Sequence, residues 1–416
     1  MFGQVSGEIT EKEITNARKQ RVFSVEFWRF AFTIIVALYH LELFYQKKIM
    51  PSGTSAVEFF FVLAGFTIAM SASKRIAADG KRELSPREAN LCAWDYLKKK
   101  LLMIYPVLAM TLVITLVIIP LTGTTFQAGY RAINTGLWQK LLAQVKVLIS
   151  SEWEWLMMVG TPMGFNNATS ATAPIVPLWF LTQLLTVGYL YAYLINRKYD
   201  FIMFAAPLIS VFGLTFFVLN SENNLDFYIK MGFFNAGTVR ALTEMAMGIS
   251  IYRIYEYMAK RDWKLSGRII LQLLELFAIY RYCALTFNAA LSIDNFRRIP
   301  YILVIILLSF VNVTFLSKLL NRKFMEKLGR LSLPMYLIHF PVATVYFSLI
   351  YRVKMRPGAR SAPAFFMMSG GMSPRYQQIP LSLGDVVMYL PFVIIVSILM
   401  NIAVRGIKRL LKTSVL

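Results

Sequence analysis

Long runs of apolar residues, separated by shorter polar segments, dominate this chain. Ten of these runs approach the roughly 20 residues that an α-helix needs to cross a bilayer. Their bounds are 27–45, 55–72, 101–121, 178–196, 201–219, 235–255, 268–288, 300–317, 331–351 and 383–404. The pattern therefore predicts an all-α fold, a polytopic membrane helix bundle of about ten transmembrane helices.

The composition agrees with a membrane location. Hydrophobic residues make up 57% of the chain and charged residues 16%, whereas a soluble domain is about half apolar and about a quarter charged. The long connection 122–177 holds an amphipathic stretch, Leu137–Ile149, which is too polar to span. No segment has the pattern of a separate soluble domain.

The positive charge predicts the orientation of the helices. With ten spans, both termini lie on one side, and that side holds 28 of the 44 Lys and Arg residues against 13 on the other. Because Lys and Arg favour the cytoplasm, we expect a multi-pass protein of the cell membrane with both termini cytoplasmic. The expected division is a cytoplasmic tail at 1–26, a transmembrane domain at 27–404 and a cytoplasmic tail at 405–416. The net charge of +22 is then mainly a topology signal, and its scatter among membrane loops argues against a nucleic-acid partner.

The first span carries a polar pair of particular interest. His40 and His339 are the only histidines of the chain, and Arg29 precedes His40 by eleven residues. This is close to three helical turns, so the two side chains share one face, roughly 16 Å apart along the axis. Buried arginine and histidine are costly in a membrane, so a functional role is the default interpretation. Glu26, one turn before Arg29, is placed to pair with it.

Four stretches together resemble the integral-membrane acyltransferase family 3, and the resemblance covers about 27–404. They are Val25-Glu26-Phe27-Trp28-Arg29 followed by His40, Val57–Phe66 (VEFFFVLAGF), Leu178–Leu181 (LWFL) and Leu328–Pro341 (LGRLSLPMYLIHFP). The chain departs from the family pattern at two points in particular. Met103 takes the place of a second arginine after the lysine run 98–100, and Ala64 stands where serine is usual.

The resemblance implies a membrane-bound O-acyltransferase. Its donor would be cytoplasmic acyl-CoA, most often acetyl-CoA, and its acceptor a hydroxyl of a cell-surface glycan or a related molecule. His40 is the expected general base, because histidine titrates near neutral pH, and Arg29 is expected to act with it on the donor. The other residues that we assign are Glu58, His339, Tyr336 and Trp179 for substrate binding, and Lys99 and Lys100 for the donor phosphates.

Several of these residues also have a plain structural interpretation. His339 either satisfies the backbone carbonyl of Leu337, which Pro341 leaves without a donor, or lines an acyl tunnel. Glu58 either binds acceptor hydroxyls or lies among lipid headgroups. The lysines Lys99 and Lys100 also fit an ordinary basic helix end.

Other polar residues in the spans bear on stability and on rival functions. Arg240 and Glu244, four residues apart, are expected to pair with each other, whereas Glu275 needs a partner elsewhere. A transporter or flippase of a glycan or lipid-linked substrate is the alternative function, since buried charges line such paths too. Cys92 and Cys283 predict neither a disulfide framework nor a metal site. Membrane lipids, the donor and the acceptor are the expected partners.

Overall fold

The computed structural model describes residues 22–42, 50–121, 138–139, 142, 178–220, 229–288, 293–354 and 382–413. Most of the predicted amphipathic stretch Leu137–Ile149 lies outside these residues, as do residues 1–21. The helices are α1 (Phe23–Glu42), α2 (Ala56–Asp79), α3 (Pro86–Leu121), α4 (Leu178–Arg197), α5 (Tyr199–Asn220), α6 (Ala236–Ala259), α7 (Leu265–Asn288), α8 (Ile299–Val311), α9 (Phe315–Leu320), α10 (Lys323–Gly329), α11 (Ser332–Lys354) and α12 (Leu383–Thr413). Two short strands, β1 (Lys230–Met231) and β2 (Phe234–Asn235), form an antiparallel hairpin before α6.

The predicted all-α fold is confirmed, and nine of the ten predicted segments each overlap one helix. Within the described residues, six helices are long and apolar enough to cross a membrane, so the count of ten is not confirmed. They are Phe23–Leu41, Ala56–Asp79, Leu178–Arg197, Tyr199–Asn220, Leu265–Phe287 and Leu383–Ile407. The helix α8 is too short for this criterion, since its 13 residues span only about 20 Å.

The single span predicted at 300–317 is wrong, because the chain breaks there into α8 and α9. Asn312 ends α8 in the left-handed region, at a φ of 56°, and its N–H is bonded to the carbonyl of Leu308. Asparagine tolerates this conformation better than most residues. Thr314 then caps α9, because its side chain accepts a hydrogen bond from the N–H of Ser317. Because the segment is hydrophobic on both sides of Asn312, the hydropathy pattern gives no sign of the break.

The third span is longer than the apolar run alone predicts. Helix α3 begins at Pro86 and has 36 residues, which corresponds to about 54 Å. Ser85 and Glu88 start it as a reciprocal cap, in which the N–H of Glu88 bonds Ser85 Oγ and the N–H of Ser85 bonds a Glu88 carboxylate oxygen. The first turns of α3 therefore extend well beyond the thickness of a hydrocarbon core.

The centre of the bundle is the contact between α2 and α6. A Cβ added at Gly65 would lie 1.9 Å from the carbonyl oxygen of Met245, and one at Gly248 would lie 2.0 Å from that of Val62. Glycine is therefore required at both positions, as in other close helix contacts in membranes. The apolar window of α2 is 72% buried, compared with 28% for α5, 28% for α7 and 22% for α12. These three helices thus form the periphery, where lipid would cover them.

Polar contacts define one end of the bundle, where α2 and α4 finish and α3 and α5 begin. Arg75 donates to Asn196 at 2.8 Å, which joins α2 to α4. Arg82 holds Asp200 with two hydrogen bonds, at 2.8 and 2.5 Å, and so joins the turn before α3 to α5. We call this the basic end. Helix α1 also begins here, and His40 lies in its last turn, near the opposite end.

Candidate active site

A cavity of about 500 Å³ lies between six helices, α1, α2, α3, α4, α8 and α11. Three cationic side chains and one carboxylate line it, namely Arg29, Lys74, Lys100 and Glu26. Most of the remaining wall is apolar, for instance Leu63, Met70, Ile104, Leu181, Leu184, Phe310 and Leu333. A volume of this size suits a small organic ligand, and the excess of positive charge favours an anionic one.

The carboxylate of Glu26 holds the guanidinium of Arg29 in place. Its Nη1 lies 2.8 Å from a carboxylate oxygen of Glu26, as their spacing predicts. Glu26 in turn packs against the end of α10, where a Cβ at Gly329 would lie 2.1 Å from its carboxylate. Thr33, one turn along, donates to the carbonyl of Arg29 at 2.8 Å and faces the same cavity. The guanidinium therefore has a fixed position on the cavity wall.

The two lysines assigned to donor phosphates differ in position. Lys100 lines the cavity and lies 5.5 Å from the centre of the Tyr96 ring. Lys99 does not line it and pairs with Asp95 at 2.5 Å on the exposed side of α3. Met103, at the position where the resemblance leads us to expect an arginine, faces the cavity one turn after Lys100.

Three aromatic rings line the cavity at the end that lies away from the basic end. Tyr336, Phe60 and Phe180 all line it, and the ring centroid of Tyr336 lies 6.4 Å from that of Phe60 and 5.4 Å from that of Phe180. Ser332, at the first turn of α11, also lines the cavity, and its buried hydroxyl has no hydrogen-bond partner among the described residues. This hydroxyl is available to a ligand.

The two histidines meet just beyond the aromatic end. His339 Nε2 lies 3.1 Å from His40 Nδ1, and the ring of His339 lies 5.9 Å from that of Tyr336. His339 is buried, whereas His40 is partly exposed. His40 lies in the last turn of α1, eleven residues beyond Arg29. Neither imidazole lines the cavity.

The local structure gives His339 a different bond from the one expected. Its Nδ1 lies 3.2 Å from the carbonyl oxygen of Met335, one turn back, and not at Leu337. Its own carbonyl accepts a hydrogen bond of 3.0 Å from the hydroxyl of Tyr389 in α12. The sequence contains no signal for the meeting of His40 with His339, because 299 positions separate them.

Glu58 and Trp179 lie in a separate buried cluster. Arg240 Nη2 bonds Glu58 at 3.2 Å, and Arg240 Nε lies 3.7 Å from Glu244, so the predicted pair has a third member. Trp179 lies 5.6 Å from the guanidinium of Arg240. Glu58 is fully buried, which excludes a place among headgroups, and neither Glu58 nor Trp179 lines the cavity.

Two further expectations concern Glu275 and metals. Glu275 of α7 accepts a hydrogen bond of 2.6 Å from the hydroxyl of Thr314, which lies in the break between α8 and α9. Within the part of the chain that the structure describes, no group of three or more His, Cys, Asp or Glu side chains could hold a metal ion.

The chain matches the model of one known protein family. The family model of acyltransferase family 3, an acyltransferase domain, matches residues 22–402. The chain belongs to acyltransferase family 3. It is therefore a membrane acyltransferase in the general sense of that family. Neither the curated proteins nor the solved structures compared with it gave a match.

The structure adds residues to the site that the motifs did not single out. Lys74, Thr67 and Phe310 line the cavity together with Arg29. Lys74 belongs to the basic segment that follows the second span, so charge counting identified its side of the membrane but not its neighbours. Phe310 lies in the last turn of α8, just before the break at Asn312.

Proposed function

We propose that this acyltransferase moves an acyl group, such as acetyl, from cytoplasmic acyl-CoA to a hydroxyl of a cell-surface glycan or related acceptor. The observation that carries the proposal is the cavity itself. Three cations lie towards one end of it, and aromatic rings next to a pair of histidines lie at the other. An acyl-CoA has the same order of groups, with phosphates at one end and a thioester at the other.

The donor would enter from the basic end. Arg29, Lys74 and Lys100 exceed the single carboxylate of Glu26 by two charges, which supports binding of phosphate groups. The apolar wall suits the pantetheine arm and the acyl chain. The unpartnered hydroxyl of Ser332 can bond an amide or phosphate oxygen of the same ligand.

The thioester would then lie near Tyr336, with His40 as the general base. His40 would take the proton of the acceptor hydroxyl while the hydroxyl oxygen attacks the thioester carbonyl. The carbon–sulfur bond breaks, and the leaving thiolate takes the proton from His40. The partly exposed position of His40 in the last turn of α1 supports access of the acceptor from the end opposite to the donor.

This scheme needs the basic end to face the cytoplasm. The asymmetry of 28 basic residues against 13 supports that orientation. Cysteine labelling at position 416 and within 355–381 tests it, since the long helix α12 separates these segments. Position 416 should be labelled from the cytoplasm and 355–381 from the opposite side. Labelling of both from the same side would refute the count of spans, and labelling of 416 from outside would refute the orientation.

Adjacent lysines on α3 give a matched test of donor binding. We expect Lys100→Gln to weaken the binding of CoA to detergent-purified protein by about tenfold, equivalent to about 1.4 kcal/mol, and Arg29→Gln to weaken it further. Lys99→Gln, which removes the same charge one residue away, should change the affinity by less than about twofold, since it touches only a solvated pair. Equal effects of Lys99→Gln and Lys100→Gln would show that the cavity does not hold the donor.

A further inference from the structure

The hydrogen bonds around the two histidines fix the positions of their protons. His339 Nδ1 faces the carbonyl oxygen of Met335 at 3.2 Å. A carbonyl oxygen only accepts, so this bond requires a proton on Nδ1 of His339. In a neutral imidazole the other nitrogen then carries a lone pair, so His339 Nε2 is an acceptor.

The same reasoning applies to His40. Its Nδ1 lies 2.9 Å from the carbonyl oxygen of Val36 and 3.1 Å from His339 Nε2. Both neighbours are acceptors, so the proton of the neutral His40 ring lies on Nδ1. The lone pair is therefore on His40 Nε2, the nitrogen that remains for a substrate.

We infer that His339 is a positioning residue: together with the carbonyl of Val36, it accepts a hydrogen bond from Nδ1 of His40 and so keeps the basic lone pair on Nε2. This inference rests on the proposed function of His40 and replaces the substrate-binding role predicted for His339. The orienting partner of a catalytic histidine is often a carboxylate; here the structure offers a second imidazole.

The proton balance of the reaction is complete with this pair. The acceptor O–H bond breaks, its proton goes to His40 Nε2, and the acceptor oxygen forms the bond to the acyl carbon. His40 is then an imidazolium, whose Nδ1–H continues to donate to the lone pair of His339 Nε2. When the carbon–sulfur bond breaks, the thiolate takes the proton from His40 Nε2. His339 itself gains and loses no proton.

The burial of the two rings shows which one can be the base and which one the positioning residue. His339 is 0% exposed, so it cannot meet an acceptor, whereas His40 is partly exposed. The hydroxyl of Tyr389 anchors the backbone of His339 at 3.0 Å, and the ring of Phe340 lies edge-on to His40 at 5.9 Å. Because contacts restrain both histidines, little conformational freedom is lost when His339 orients the ring of His40.

The kinetic test compares His339→Leu with His339→Gln in purified protein. The probe is thiol release from acetyl-CoA with water as the acceptor. His339→Leu removes one of the two acceptors of the His40 Nδ1–H, the one that stabilises the imidazolium from a second helix, so we expect kcat to fall about 10- to 100-fold. KM should stay within about twofold, because His339 does not line the cavity. The side-chain amide oxygen of glutamine can lie near the place of the lost Nε2 and accept the same hydrogen bond from His40 Nδ1. His339→Gln should therefore recover most of the rate. Equal losses in both variants, or a change mainly in KM, would overturn the inference.

A spectroscopic test needs neither donor nor acceptor. The chain has only two histidines, so ¹⁵N-histidine labelling gives four ring nitrogens, and the His40→Gln variant assigns those of His339. Wild-type protein at neutral pH should show a protonated Nδ1 and an unprotonated Nε2 in both rings. In His339→Leu, the proton should stay on Nδ1 of His40 because the carbonyl of Val36 still accepts it, but the Nδ1–H resonance should shift because its second acceptor is lost. A protonated Nε2 on His40 in the wild type would overturn the inference, even if donor binding and acyl transfer were intact. Conversely, the expected tautomers in a protein without transfer activity would contradict only the proposed function.

Discussion

Arg240 shows how strongly single charges are constrained inside this bundle. It is 2% exposed and lies between two buried carboxylates, those of Glu58 and Glu244. Removal of one member of a buried ion pair leaves an uncompensated charge in a medium of low dielectric constant. The guanidinium of Arg240 is therefore part of the structural core, and its spacing to Glu244 was enough to predict one of its two partners.

We expect Arg240→Met to destabilise the folded protein by about 3–5 kcal/mol, because both carboxylates lose their cation. The double variant Glu58→Gln with Arg240→Met should recover part of this loss. Lys99→Met, which breaks an exposed pair, should cost less than about 1 kcal/mol. Unfolding of the purified variants in detergent measures all three. If Arg240→Met and Lys99→Met unfold at the same denaturant concentration, the buried cluster around Arg240 contributes little to the stability.

Between helices, close approach at glycine determines which elements become neighbours. The contact of α2 with α6 at Gly65 and Gly248 brings the two backbones within van der Waals distance. This contact also sets the position of Phe60 and Leu63 on the cavity wall, since both belong to α2. The geometry of the site therefore depends on a helix contact that carries no catalytic group.

We expect Gly65→Ala to lower the stability by about 1–3 kcal/mol, as overpacking of a core does, and to reduce the yield of folded protein. The matched control is Gly406→Ala in α12, where an added Cβ meets nothing within 4 Å. This control should be neutral or slightly stabilising, because alanine favours helix over glycine. Thermal unfolding and size-exclusion profiles compare the two variants. A Gly65→Ala protein as stable as Gly406→Ala would contradict the packing described here.

The sequence predicted helices well and helix ends poorly, for physical reasons. Apolar length identifies a helix but does not show where it begins, and α3 starts fifteen residues before the apolar run that predicted it. The cap at Ser85 and Glu88 was a readable signal for that start. The break at Asn312 depends on one backbone conformation inside an apolar segment, and the hydropathy does not change there.

For the whole molecule, the fold class followed from the sequence and the site followed only in part. Arg29 and Glu26 share one helix, so spacing alone predicted their contact. The cavity needs six helices, from α1 to α11, and the sequence gives no order of neighbours among them. For the same reason, the sequence grouped Lys99 with Lys100, although only Lys100 faces the cavity.

We propose that His40 takes the proton of the acceptor while the cavity holds the acyl donor. The most direct measurement is the rate of thiol release from acetyl-CoA by purified protein, wild type against His40→Gln, at saturating donor. We expect a loss of about 10²- to 10⁴-fold, with CoA affinity within about threefold of wild type, because His40 does not line the cavity. A His40→Gln protein that releases thiol at the wild-type rate would show that His40 is not the base.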